Sequence, residues 1–210
     1  MKAKSFLLPL LVLSLLIFSA VSTRSQTVIT FEDAPNSSRG VNLPDGYQGL
    51  SWSNFGVVNA VLTSNLVGVS GANYGMVSPS NVAYSSAFGL PSEIDSPGTN
   101  FSFLSVYLTG AWNSNVNIDV QGFRSGALAY DLTAIAEATN STLFTFNYLD
   151  IDRLNFTSFG GQDAGFRGGR FAAQFIMDNF TLQFVPEPST ILLAILGALL
   201  LWPLLKRKRA

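Results

Sequence analysis

The chain has 210 residues, no cysteine, no histidine and a formal net charge of −1. Without those two residue types there is no disulfide framework, no thiolate or imidazole zinc site, and no Ser-His-Asp or Cys-His catalytic arrangement. The charge is uneven: residues 26–185 hold five arginines and no lysine against twelve carboxylates, which leaves −7 on this part and argues against nucleic acid as a partner.

Lys2 and Lys4 precede an apolar stretch from Phe6 to Ala20, which is followed by small and polar residues. This is the layout of a secretory signal peptide, expected over residues 1–22 with cleavage near Ser22 after Ala20-Val21-Ser22. The segment that follows, residues 26–184, is long enough to hold one core without staples and is read as one extracytoplasmic domain.

Within it, short β-branched and aromatic runs alternate with Gly, Asn, Ser, Pro and Asp, and helical periodicity is nearly absent. Strands are expected near Val28–Glu32, Gly49–Trp52, Phe55–Leu62, Val82–Ser85, Phe101–Thr109, Val116–Gly122, Leu128–Thr133, Leu143–Asn147, Arg153–Phe159 and Phe175–Phe184. Val116, Ile118 and Val120 alternate with Asn117, Asp119 and Gln121, the period of a half-buried strand. About ten short strands separated by turns predict an all-β fold, a β-sandwich of jelly-roll type. A single helical turn is expected near Ala134–Ala138, and Val67–Ser80 is read as surface loop.

Two carboxylates stand out. Alternation along the last strand puts Asp178 on the face of Ile176, Phe180, Leu182 and Phe184, where an unpaired charge is costly. In the first strand, Ile29, Phe31 and Asp33 share a face in the same way. First and last strands of a sandwich commonly lie side by side, so the two carboxylates are expected to meet. Hard oxygen ligands favour calcium. A structural Ca²⁺ held by Asp33, Asp178 and Glu32 is one reading; arginine partners or a solvated strand end are the others.

A carboxylate pair of the glycosidase kind is the catalytic chemistry left to this segment, and nothing in the sequence singles one out. A non-enzymatic protein is expected. Trp52, Trp112 and Tyr47 lie beside turn-rich segments, where an aromatic face can stack on the apolar face of a sugar; most aromatics in such a fold are core.

The C-terminus reads in three parts. Pro186, Glu187 and Pro188 form a stiff break. Ile191–Leu205 is uncharged and apolar, a short transmembrane helix of fifteen residues, roughly 22 Å against a bilayer core of about 30 Å. Lys206, Arg207, Lys208 and Arg209 form a positive stop that stays cytoplasmic. This order at the extreme end of residues 185–210 resembles the PEP-CTERM sorting signal of exported proteins in Gram-negative bacteria. The resemblance implies recognition by an exosortase, a transient hold in the inner membrane, and delivery to the cell surface or to extracellular polysaccharide. Ile29-Thr30-Phe31-Glu32-Asp33, Gly46-Tyr47-Gln48-Gly49-Leu50-Ser51-Trp52, Tyr107-Leu108-Thr109-Gly110-Ala111-Trp112 and Met177-Asp178-Asn179 also resemble one recurring group of proteins with this tail. The Phe-Glu-Asp start and Met-Asp-Asn end are similar to carbohydrate-binding jelly rolls with a structural calcium. The expected function is therefore an exosortase-sorted, surface- or exopolysaccharide-associated protein that binds carbohydrate or matrix. A purely structural surface component and a carboxylate-based glycoside-active enzyme are the alternatives.

Overall fold

Inward and outward side chains alternate along most of the strands, and the inward ones meet between two antiparallel sheets. The structure, a computed structural model, describes residues 25–87, 89–166, 173–185 and 197. Twelve strands occur among them: β1 (Thr27–Ile29), β2 (Val41–Asn42), β3 (Ser51–Ser53), β4 (Phe55–Asn59), β5 (Asn81–Ser85), β6 (Ser92–Asp95), β7 (Phe101–Gly110), β8 (Asn113–Arg124), β9 (Ala127–Ala136), β10 (Thr142–Ile151), β11 (Arg153–Asp163) and β12 (Phe175–Phe184). One sheet runs β10-β7-β12-β5-β4-β2, with β1 also paired to β12; the other runs β3-β6-β11-β8-β9. The fold is all-β, a two-sheet sandwich. The expected signal peptide and, apart from Val185 and Gly197, the C-terminal tail lie outside the described residues. Among those described, no helix is long and apolar enough to cross a membrane.

The core is aromatic. Phe31, Trp52, Phe55, Phe103, Phe156, Phe175 and Phe180 are all buried between the sheets. Phe103 stacks on Phe180 at 4.8 Å between centroids, and Trp52 meets Phe55 edge-on at 5.4 Å. In β8, Val116, Ile118 and Val120 are fully buried, as the alternation predicts.

Several local expectations are corrected. The strand expected over Phe55–Leu62 stops at Asn59, whose side chain accepts a hydrogen bond from Leu62 N at 2.9 Å and caps helix α1 (Ala60–Val67). A short apolar run carries no period that separates strand from helix, and here the cap decides. The expected loop over Val67–Ser80 contains a second helix, α2 (Gly71–Gly75). The helical turn expected near Ala134–Ala138 is instead the end of β9. Ala134 pairs with Ile118 and Ala136 with Val116, so sheet pairing and burial override the helical propensity of alanine. Strands β2 and β6 were not expected, and both are short.

The first strand ends at Ile29 rather than Glu32. Phe31 has a positive φ of 63° and opens a turn in which Ala34 N donates to Phe31 O at 3.1 Å. Asp33 is therefore in an exposed turn and shares no strand face with Ile29. The last strand holds the larger surprise. A bulge between Asp178 and Thr181, with Asn179 at φ 50°, switches the strand's faces. Phe175, Met177, Phe180 and Leu182 all enter the core, whereas Ile176 belongs to a second apolar cluster with Val58, Ala60, Ala72, Val82 and Ala111. Asp178 goes with Ile176, not with Phe180.

Candidate functional site

The second cluster forms the floor of a cleft of about 580 Å³ on the helix-covered face of the larger sheet. Val58 and Ile176 come up from β4 and β12, Ala111 follows the end of β7, and Leu66 and Val67 lean in from α1. Trp112 and Tyr84 supply aromatic walls; Arg39, Gln174, Ser38 and Thr63 supply polar groups.

Each wall is held for a local reason. Trp112 Nε1 donates to Gln174 Oε1 at 3.1 Å, and Gln174 Nε2 donates to Ser85 O at 2.7 Å, so the indole is fixed through a buried amide to β5. Helix α2 packs closely on β7 and β12 because its exposed-to-sheet positions are glycines. A Cβ on Gly75 would lie 2.6 Å from Ile176 Cγ2, and Gly71 N donates to Ala111 O at 2.9 Å. Tyr84 lies over Gly56 of the neighbouring strand; a Cβ there would come within 2.5 Å of Tyr84 Cζ. Gly40, at φ 78°, also closes on the Tyr84 ring. The Arg39 loop is tied to α1 by Thr63 Oγ1, which donates to Ser38 O at 2.6 Å, and to β4 by Asn59 N, which donates to Ser37 O at 2.8 Å. Burial raises the Tyr84 hydroxyl above its ordinary pKa, so the ring edge at the cleft stays neutral.

The three aromatics expected to bind ligand separate. Trp112 lines the cleft and is half-buried. Trp52 is 7 % exposed, packs edge-on against Phe31, Phe55 and Phe180, and donates from Nε1 to Tyr47 O at 2.9 Å. It is a core residue with no free face to offer, which corrects that expectation. Tyr47 is half-buried against the same core, 6.2 Å from Phe31. Its hydroxyl donates to Asp33 Oδ1 at 2.5 Å; burial first, and the Asp33 contact second, raise its pKa.

The three expected calcium ligands separate as well. Asp33 accepts from Tyr47 and, at 2.6 Å, from Gln48 Nε2. Glu32 accepts from the backbone N–H of Ser80 at 2.6 Å and of Asn81 at 2.7 Å. Asp178, with no exposed surface, accepts from Val77 N and Ser78 N at 2.8 Å, Asn179 N at 2.7 Å and Ser78 Oγ at 2.9 Å. First and last strands do lie side by side, with Ile29 opposite Phe180. Glu32 and Asp178 accordingly grip one segment, residues 77–81. Among the described residues the hydrogen-bond partners of these carboxylates are N–H and O–H donors, while the side-chain oxygens of Asn179, next to Asp178, and of Asn81, whose N–H Glu32 holds, are buried without a partner. Among the described residues no three carboxylates gather. The compensation that burial demands of Asp178 comes from N–H and O–H groups, a solution that local sequence does not reveal because the donors are about a hundred residues distant. Burial still pushes the Asp178 carboxyl up to about 6, with the four hydrogen bonds acting against that rise.

Arg39, Tyr84 and Gln174 were not singled out from sequence. One signal was readable: residues 46–92, which supply most of the cleft's wall, contain no charged side chain at all. Among the described residues two carboxylate pairs approach one another, Glu93 with Asp95 and Asp119 with Asp131, both on the smaller sheet; the Glu93 and Asp119 carboxyls are shifted up by desolvation first and by the adjacent aspartate second. Neither pair lines the cleft.

No protein-family model matches the chain, and no curated protein is similar to it. The chain is similar to a solved structure, that of TmCBM61 in complex with β-1,4-galactotriose, at 10 % identity over 69 % of this chain and 95 % of that one, with a TM-score of 0.30. Fold and cleft together define an all-β sandwich protein with a ligand-sized, aromatic-walled recess on one sheet.

Proposed function

We propose that this is an exported, non-enzymatic protein that binds a saccharide of the cell surface or exopolysaccharide matrix in the Trp112 cleft. The single observation that carries the reading is the cleft's make-up: an indole fixed by Gln174 stands beside aliphatic floor and a few polar groups, the combination a pyranose ring uses through its apolar face and its hydroxyls. Among the described residues no carboxylate, histidine, lysine or cysteine lines it, so none of them forms an acid–base pair on what it holds.

The address belongs to the same proposal. The signal peptide over residues 1–22 would export the chain, and the tail over residues 185–210 would pass it to an exosortase with the body outside the inner membrane. The Pro-Glu-Pro break, the short apolar run and the basic end support that reading. A mature protein from the surface fraction whose mass lacks Lys206–Arg209 is the expected result; a product that retains them would leave a plain anchor.

A second reading, a structural matrix component without a small ligand, is favoured by β9. This edge strand of ten residues leaves Leu128, Leu132 and Ile135 exposed beside an unpaired backbone edge, the kind of edge that invites strand pairing. Glycan-array binding by the full-length chain in mild detergent separates the two. Binding that Trp112→Ala abolishes supports the first; silence on the array with concentration-dependent self-association supports the second.

A further inference from the structure

The chemistry of the ligand follows from one side chain in the cleft that the aromatic walls do not explain. Among the described residues Arg39 is the charged residue of the lining, in a part of the chain that carries −7 with Arg39 included. Of the other described arginines, Arg153 lies over the Phe123 ring, 4.5 Å from its centroid, and Arg124 is paired. Among the described residues the ion pair that forms is Arg124 with Asp150, at 3.4 Å. Arg39 has none. Its backbone, by contrast, is fixed: Arg39 N donates to Ser37 Oγ at 3.3 Å, the loop is bonded to β4 and α1, and Gly40 behind it fits against Tyr84.

A guanidinium anchored at the mouth of this recess presents a planar fork of donors with no hydrogen-bond or ion-pair partner among the described residues. That fork matches a carboxylate in a bidentate pair, and it is selective for anionic over neutral groups. The net negative field of the body disfavours an acidic polymer at long range. That field is screened beyond about 8 Å at physiological salt, so the contact pair at Arg39 decides the bound state. Resting on the saccharide reading above, we infer that the cleft takes a carboxylate-bearing sugar, a uronic-acid unit, with its carboxylate on Arg39 and its ring against Trp112.

The test is calorimetric binding of oligouronides and of the same oligomers after carboxyl reduction to neutral sugars, using the full-length chain in mild detergent. Wild type should prefer the acidic form by about tenfold. Arg39→Gln should erase the preference and leave both oligomers at the weaker affinity. Arg39→Lys should retain part of it, because the charge stays and the fork is lost. Thermal unfolding of Arg39→Gln should match wild type, since the side chain is exposed. Equal affinity for both forms in wild type, or a preference that survives Arg39→Gln, would overturn the inference while leaving a Trp112-dependent saccharide site intact. No binding of either form would overturn the saccharide reading together with the inference.

Discussion

Replacing Gly56 with alanine puts a methyl group where the Tyr84 ring now lies. The new Cβ would be 2.5 Å from Cζ and 2.6 Å from both Cε1 and Oη, far inside van der Waals contact. Gly56 lies inside β4 with ordinary backbone dihedrals, so alanine brings no strain of its own there; it should gain about 0.5–1 kcal/mol relative to glycine from the unfolded chain. The ring must tilt as a rigid body, and Gly40 closes on it as well, so it can relieve the clash only by leaving the second apolar cluster. Overpacking of this kind costs about 1–3 kcal/mol, which against that gain gives a net loss of about 1 kcal/mol and, for a domain of this size, a drop of about 2–4 °C in Tm. Because the ring is a cleft wall, saccharide affinity should fall in parallel. Denaturant unfolding of wild type, G56A, Y84A and the double variant makes the argument quantitative. With the ring gone, G56A should be neutral or mildly stabilising. An equal cost of G56A in both backgrounds would refute the steric account.

The two tryptophans should behave oppositely. Trp52→Ala should lose about 3–5 kcal/mol of stability, because it removes a core ring, whereas Trp112→Ala should lose less, about 1–2 kcal/mol for a half-buried ring and an unpaired Gln174 Oε1, and should abolish saccharide binding; a Trp112→Ala protein with intact binding would refute its role as a wall of the site. Asp178 should impose a pH dependence. Its folded pKa of about 6 lies above the unfolded value of about 3.9, so the native state holds the extra proton between them. Stability from this group should therefore fall as pH rises from about 4 to about 6, by up to ~1.4 kcal/mol per unit, and Asp178→Asn should remove that slope in denaturant titrations. Identical slopes in the two proteins would sink this. Calcium added to the metal-stripped protein tests the shared-ion proposal through Tm: a calcium-dependent rise that Asp178→Asn loses supports it, and an unchanged Tm removes it.

Much of the body's architecture was legible in the chain because burial in a sandwich repeats every second residue. β8 is the clear case: Val116, Ile118 and Val120 point inward as their spacing says, and β1 lies against β12 as first and last strands were expected to. Period-two reasoning fails wherever the register breaks. The bulge at Asn179 sends Asp178 to the opposite face from Phe180, and the positive φ of Phe31 ends the first strand before Asp33. Neither event has a local signature, because each is stabilised by distant partners: the segment 77–81 for Asp178 and Glu32, and the Tyr47–Gln48 turn for Asp33.

The sequence by itself determined which residue types are absent, the acidic balance of the body and the β character of its segments; it placed Trp112 beside a turn-rich segment without setting it apart from Trp52. Only the tertiary structure decided which aromatic is wall and which is core, because Trp52 and Trp112 differ not in their neighbours along the chain but in what packs over them. It also decided that Arg39, Tyr84 and Gln174 meet. These residues come from a loop, a central strand and the approach to the last strand, and their convergence depends on β12 lying beside β5 and on glycines at 40, 56, 71 and 75 that let rings and helix come close. Composition carries the first kind of information; close approach between distant segments carries the second.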